Sequence, residues 1–310
     1  MSRIYDVAAL GEILIDFTEA DGKFTPNPGG APANVLAMLR KLGKRCAFIG
    51  KVGQDMFGDS LVSALDSLGI DTGGLIRDAR VKTTLAFVHT LPGGDRAFSF
   101  YRDPGADMML RAGEVNGDIV DSCRVFHFGT LSMTAEPVRT ATVEAVERAK
   151  RAGALLSFDP NLRLNLWQSP EEARAAMEYG LSCADIAKIS DNEVEFLIGE
   201  RDYDYAGRKL QTVYPNLRLL TITAGADGSY AFRGAASAFE PACKRGGVIE
   251  TTGAGDTFCG CMLNAVLERG FELDLHEALR FANHAAYIVT TRRGALMQMP
   301  EKSEVEAIYR

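Results

Sequence analysis

The chain lacks most of the signatures that mark nucleotide-using enzymes. It has no GxxxxGK[ST] loop, which excludes a P-loop site, and no HRD…DFG set, which excludes a protein-kinase-type fold. No GxGxxG follows the first apolar run, which argues against a dinucleotide enzyme. No CxxC pair occurs. The six cysteines, at 46, 123, 183, 243, 259 and 261, mostly sit among apolar neighbours and read as small buried hydrophobes of a reducing cytoplasm, not disulfide partners or zinc ligands. The four histidines show no metal-ligand spacing and read as structural. No run of about 18 apolar residues is present, so no membrane span is expected. Asp6 and Glu12 interrupt MSRIYDVAALGEILIDF, so a secretory leader is not expected either. A net charge of −7 argues against a nucleic-acid partner, though an acidic protein can still hold a small anion in a locally positive site.

What is present is a chain of 310 residues, 46% of them hydrophobic, enough for a sizeable core. Apolar runs of strand length at 6–11, 45–50, 124–129, 154–159, 187–190 and 219–223 alternate with helical patterns at 34–42, 60–68 and 136–151. Each of these helical patterns stops at or near a glycine. Continuous apolar strands separated by helices predict an α/β fold, a parallel sheet with helices on both faces. Two stretches, about 12–30 and 81–102, read instead as extended polar–apolar segments without a helix between. LPGGD at 91–95 predicts a hairpin turn, and a small sheet projecting from the main body follows. No linker, repeat or low-complexity segment divides the chain, so a single domain, 1–310, carries these lid segments.

Six clusters hold polar residues suited to chemistry. In TTGAGDTFCGCMLNAV (251–266) the apolar positions 258, 261, 262, 265 and 266 mark a helix that starts at Gly253–Gly255 and stops near Gly270. Such an N-terminus offers unpaired N–H donors and partial positive charge to an anion, and glycines allow close approach. Asp256, in its first turn, either caps the helix or accepts a proton. In PGGAPAN (28–34), Asn34 is either an N-cap or a ligand contact above Gly30. Asp16 lies in an apolar segment, where an unpaired acid is costly, so it meets solvent, a cation or ligand hydroxyls. FDPNLR (158–163) places Asp159, Asn161 and Arg163 on one side beyond a buried strand, where ligands of open α/β sheets bind. Asn192 and Glu195 form an NxxE pair at a helix start, fit for capping or for a Mg²⁺–water shell. TITAGADG (221–228) is a turn or a nucleotide cradle, and Asn283 lies on a later helix.

In order, GGAPAN, DPNLR, NxxE, TAGADG and TTGAGD resemble the motifs of the ribokinase-like (PfkB) sugar kinases, from about Gly11 to Ala295. Within that family FSFYRDPGADMML, FDPNLRLNLW and KISDNEVEFL resemble bacterial fructokinases most closely, with aminoimidazole riboside kinases near relatives. The resemblance implies an α/β core with a small β lid that closes over the sugar and often forms a homodimer contact. It implies transfer of the ATP γ-phosphoryl group to the C6 hydroxyl of D-fructose. The alternatives are kinases for aminoimidazole riboside, 2-keto-3-deoxygluconate or ribose, or a silent sugar-binding regulator. By the resemblance Asp256 is the general base, Gly253, Ala254 and Gly255 the anion hole, and Arg163 a phosphate neutraliser. Asp16, Gly30, Asn34, Asn161, Phe98 and Arg102 lie on the sugar side. Lys188, Thr223, Gly225, Gly228 and Asn283 lie on the nucleotide side, and Asn192 and Glu195 in the Mg²⁺ shell. Glu250 and Thr252 fall at a monovalent-cation position. Glu250 stands where the family usually has Asp, so weak K⁺ stimulation is expected.

Overall fold

The computed structural model describes residues 3–20, 22–90 and 96–309. From the amino end the elements run β1 (Tyr5–Leu10), β2 (Leu14–Ala20), β3 (Lys23–Gly29), α1 (Ala31–Lys41), β4 (Cys46–Gly53), α2 (Met56–Ser67), β5 (Asp71–Asp78), β6 (Leu85–Thr90) and β7 (Arg96–Tyr101). The middle holds α3 (Gly117–Ser122), β8 (Cys123–Phe128), α4 (Val138–Arg151), β9 (Leu155–Phe158), α5 (Pro170–Cys183), β10 (Ile186–Ser190), α6 (Asp191–Ile198) and α7 (Tyr203–Val213). Then follow β11 (Leu219–Thr223), β12 (Gly228–Arg233), β13 (Ala236–Pro241), α8 (Ala254–Arg269), α9 (Leu275–Thr290) and α10 (Lys302–Tyr309).

Among the described residues, nine strands form one sheet in the order β13-β12-β11-β10-β9-β8-β1-β4-β5. The six expected apolar runs are all in it, and every pairing from β11 to β5 is parallel. The pleat sends alternate side chains to opposite layers. Val7 and Ala9 enter the core packed by α1, α8 and α9, whereas Ala8 and Leu10 enter the core packed by α4 and α5. Strands covered on both sides need no polar alternation, which is why they read as unbroken apolar runs. The purely parallel expectation needs correction at one edge, because β12 pairs antiparallel with β11 and β13 with β12. Strand β5 carried no apolar signal. Its DTGGLIRD is an edge strand, and Gly74 leaves no room for a side chain, since a Cβ there would stand 2.7 Å from the Phe48 carbonyl oxygen.

The extended segments at 12–30 and 81–102 build a second sheet in the order β3-β2-β6-β7. Strands β6 and β7 pair antiparallel as a hairpin requires, and the turn at 91–95 lies outside the described residues. Register sorts the two faces. Asp16 sits opposite Ala86 and Ala86 opposite Phe100, so Asp16 and Phe100 share the inner face. Phe17 sits opposite Phe87, and their rings stack at 4.9 Å on the outer face, flanked by Phe24 and Tyr101.

Candidate active site

A cleft of about 530 Å³ opens between the carboxyl ends of β9, β10 and β11 and the inner face of the lid sheet. This is where an open α/β sheet exposes its loops. Leu14, Asp16 and Phe100 line it from the lid, and Glu12, Gly30 and Asn34 from the turn into α1. At the far side stand Thr223, Gly225, Gly228 and Asn283, with residues 251–256 forming the wall between.

That wall is the start of α8. Gly253 is its N-cap at φ 79°, and a Cβ there would stand 2.5 Å from the Ala295 Cβ, so both backbone and space demand glycine. The Ala254 N–H turns back to the Thr251 carbonyl at 3.3 Å. Among the described residues no such bond is found for the N–H groups of Gly253 and Gly255, and both glycines line the cleft. Helix α8 ends at Gly270, as expected, but it is buried nearly all round, because α1 and α9 both pack on it.

Asp256 lines the cleft and keeps some open surface. Its Oδ2 accepts a hydrogen bond from Asn34 Nδ2 at 2.8 Å. Burial and then the Asp159 carboxylate push its carboxyl up from the ordinary value to about 6, against the opposing pull of the Asn34 donor, Lys188 and Arg163. Asn34 is not the helix cap. The cap is Gly30, at φ 127°, where a Cβ would stand 2.5 Å from the Glu12 carbonyl oxygen, and Asn34 lies one turn inside α1.

Lys188 is buried at the end of β10, its Nζ 3.2 Å from Asp159 Oδ2. Burial alone would lower its pKa, but Asp159, Glu193 and Asp256 together raise it, so it stays cationic. A Cβ on Gly255 would stand 3.0 Å from that ammonium, so the cation borders the helix entry. Asn161, at φ 46°, and Arg163 follow β9 into the cleft. Thr223 and Gly225 close the opposite end. Gly228, at φ 134°, has the Glu240 carbonyl where a Cβ would stand. Asn283 lines the cleft, but both its amide hydrogens go to the carbonyls of Glu240 and Pro241, and its Oδ1 accepts from Ser229. It clamps the β12–β13 hairpin and leaves one lone pair for a ligand.

Several expected residues stand elsewhere. Asn192 and Glu195 are exposed and off the cleft, and Glu195 pairs with Arg201 at 2.5 Å. The acids of this helix that line the cleft are Asp191 and, two residues before Glu195, Glu193. Glu193 forms a capping box with Ser190, and its other oxygen accepts from the Leu162 N–H at 2.8 Å. The Phe98 side chain lies outside the described residues, and Phe100 lines the cleft. Arg102 is buried behind the wall, with Nε 2.8 Å from Asp107 Oδ2, Nη1 on Thr134 and Nη2 on the Leu131 carbonyl. Thr252 lines the cleft, and Glu250 is buried next to it. The Glu250 carboxylate accepts no hydrogen bond from the described residues. Sequence reasoning passed over Glu12, an acid only 3% exposed whose Oε1 accepts from the Ala31 N–H at 3.0 Å. The reasoning applied to Asp16, an acid in an apolar segment, would have found it.

An α/β body with a lid sheet, a carboxylate at a glycine-gated helix start and cations beside it define a class of phosphoryl-transferring enzyme. The chain belongs to the pfkB family of carbohydrate kinases, whose family model matches residues 5–302. Over 96% of its length it is 42% identical to probable fructokinase-2 of Arabidopsis thaliana, of which 94% is covered. Among solved structures it resembles the fructokinase of Xylella fastidiosa with bound ATP, at a TM-score of 0.88 and 32% identity over 98% of both chains. It equally resembles a double mutant of the Vibrio cholerae fructokinase bound to fructose, ADP and potassium, at a TM-score of 0.88 and 26% identity over 100% of both chains.

Proposed function

We propose that the protein is a fructokinase that transfers the γ-phosphoryl group of ATP to the C6 hydroxyl of D-fructose. The observation that carries this reading is Asp256, which lines one cleft together with the lid carboxylate Asp16 and the loop of Gly253 and Gly255. Asp16 and Asn161 hold sugar hydroxyls under the lid, and Phe100 covers the ring. Asp256 takes the C6 proton, the C6 oxygen attacks the γ-phosphorus, and the bond to the β–γ bridging oxygen breaks to release ADP. The Gly253 and Gly255 donors face the charge that grows on the transferring group, and Arg163 and Lys188 offset the phosphates. Thr223, Gly225, Gly228 and the Asn283 clamp border the nucleotide.

No cluster of three metal-ligating side chains exists among the described residues. Mg²⁺, which neutralises phosphate charge, would therefore ride mainly on the nucleotide, with Glu193 reaching it through water; Mg²⁺ commonly keeps several waters. Glu250 and Thr252 suit a monovalent cation beside the anion-hole loop, since no donor among the described residues reaches the Glu250 carboxylate. The outer face of the lid, with Phe24 and Tyr101 exposed, suits a homodimer contact. A coupled ADP-release assay over neutral ketoses, aldoses and nucleosides tests the reading. Fructose should give the highest kcat/KM, and turnover confined to another sugar would refute it.

A further inference from the structure

The sugar end of the cleft holds an acid, Glu12, that the binding of hydroxyls proposed above does not use. Glu12 and Asp16 line it, and both are carboxylates. Glu12 is almost sealed from solvent, with one oxygen fixed by the Ala31 N–H at the entry to α1. Arg102, a cation close enough to act on it electrostatically, does not line the cleft. Its guanidinium is held from behind by Asp107, by the Thr134 hydroxyl and by the carbonyl of Leu131, a residue of the cleft wall. Asp107 is itself buried and fixed by the Thr84 hydroxyl. Gly105 makes this network possible, because a Cβ there would run into both Thr84 and Asp107. Arg102 thus spends its charge on Asp107 behind the wall, whereas Glu12 stands at the wall itself. A buried unbalanced charge acts strongly on a charged ligand and weakly on a neutral one.

We infer that Glu12 and Asp107 are specificity-determining residues: Glu12 repels sugar acids, and Asp107 withholds from them the guanidinium of Arg102. The inference rests on the reading of this cleft as a sugar site. Asp107 is a positioning residue here, acting through Arg102. Glu12 acts directly at the wall and also fixes the turn that presents Gly30. Burial pushes the Glu12 carboxyl up to about 7, opposed by its own and the Ala31 N–H and by Arg102, and Asp107 adds to the rise. It therefore stays substantially ionised at slightly alkaline pH.

The test uses 2-keto-D-gluconate, which is D-fructose with the C1 hydroxymethyl group oxidised to a carboxylate. Binding of this acid and of fructose is measured by calorimetry at pH 8, with kcat and KM for each, in the parent, Glu12→Gln and Asp107→Asn. Glu12→Gln keeps the acceptor for Ala31 and removes the charge. The acid should bind on the order of tenfold tighter in Glu12→Gln than in the parent, whereas ATP affinity stays constant. Asp107→Asn should act in the same direction, and if it does not fold, as judged by thermal melting, Glu12→Gln decides alone. A folded Glu12→Gln protein with unchanged acid-to-fructose discrimination overturns the inference. Fructose turnover in the parent reports separately on the proposed function. Its absence would refute that reading, whereas the change in acid binding between variants would still judge the charge argument.

Discussion

The two sheets are built for opposite purposes. The nine-stranded sheet is buried on both faces, and its side chains sort into two continuous cores. The four-stranded sheet has one face on the cleft and one towards solvent, where Tyr101 is 67% exposed. Close packing makes the first sheet rigid, so the groups at its strand ends, Asp159 and Lys188, and the start of α8 are held in place. The second sheet is tied down chiefly at its roots, by Arg102, Asp107 and Thr84 and by the contact of Phe17 with Phe57 of α2. On the proposed reading the proton acceptor therefore belongs to the body, and much of the recognition of sugar to the lid. Changes in the body should remove chemistry, and changes in the lid should remove affinity.

The sharpest break of that division is Asp256→Asn. Turnover should fall about 10²–10⁴-fold while nucleotide binding, measured by calorimetry, is retained, because the loop donors remain. A loss of less than about threefold would exclude Asp256 as the base. The parent should also lose kcat/KM as pH drops below about 6, since the raised pKa of Asp256 means that it is protonated there and cannot accept. A profile flat down to pH 5 would count against the assignment.

Next comes the lid counterpart, Asp16→Ala. Hydrogen bonds to a charged group are worth about 1.5–3 kcal/mol, so fructose affinity should fall about 10–10²-fold with ATP affinity unchanged. Equal losses for both ligands would mean that the lid and body do not divide the work. On the outer face of the lid, Phe24→Glu combined with Tyr101→Glu should weaken self-association by about tenfold in sedimentation equilibrium, if that face joins two copies. A parent that is monomeric at all concentrations removes this use of the face. The smallest effect is expected at Glu250. Potassium should stimulate the parent little relative to a bulky organic cation at matched ionic strength, and Glu250→Asp should raise the stimulation by about two- to threefold, because hard cations select on ligand geometry. Strong stimulation that is identical in both proteins would show that the longer acid is accommodated.

The sequence by itself determined six of the nine strands of the core sheet, the two lid segments and the glycine-gated helix with its acid. Each of these is written in local periodicity and in the backbone needs of glycine, and neither depends on a distant partner. The start of α6 was legible too. Ser190-x-x-Glu193 is a capping box, yet the NxxE reading took the outward-facing Asn192 and Glu195, because a pattern two residues out of phase looks equally regular in one dimension. Only the tertiary structure decided the rest. Asn34 reaches Asp256 across 222 residues, and it raises no local signal beyond a helix start. Arg102 looked like a sugar contact until the fold supplied Asp107, Thr134 and Leu131 behind it. Glu12 became a wall of the cleft only when β1 and α1 folded over it. The physical reason is the same in each case. A backbone preference is a property of neighbours in the chain, whereas the partner and charge state of a buried polar group belong to whatever packing brings beside it.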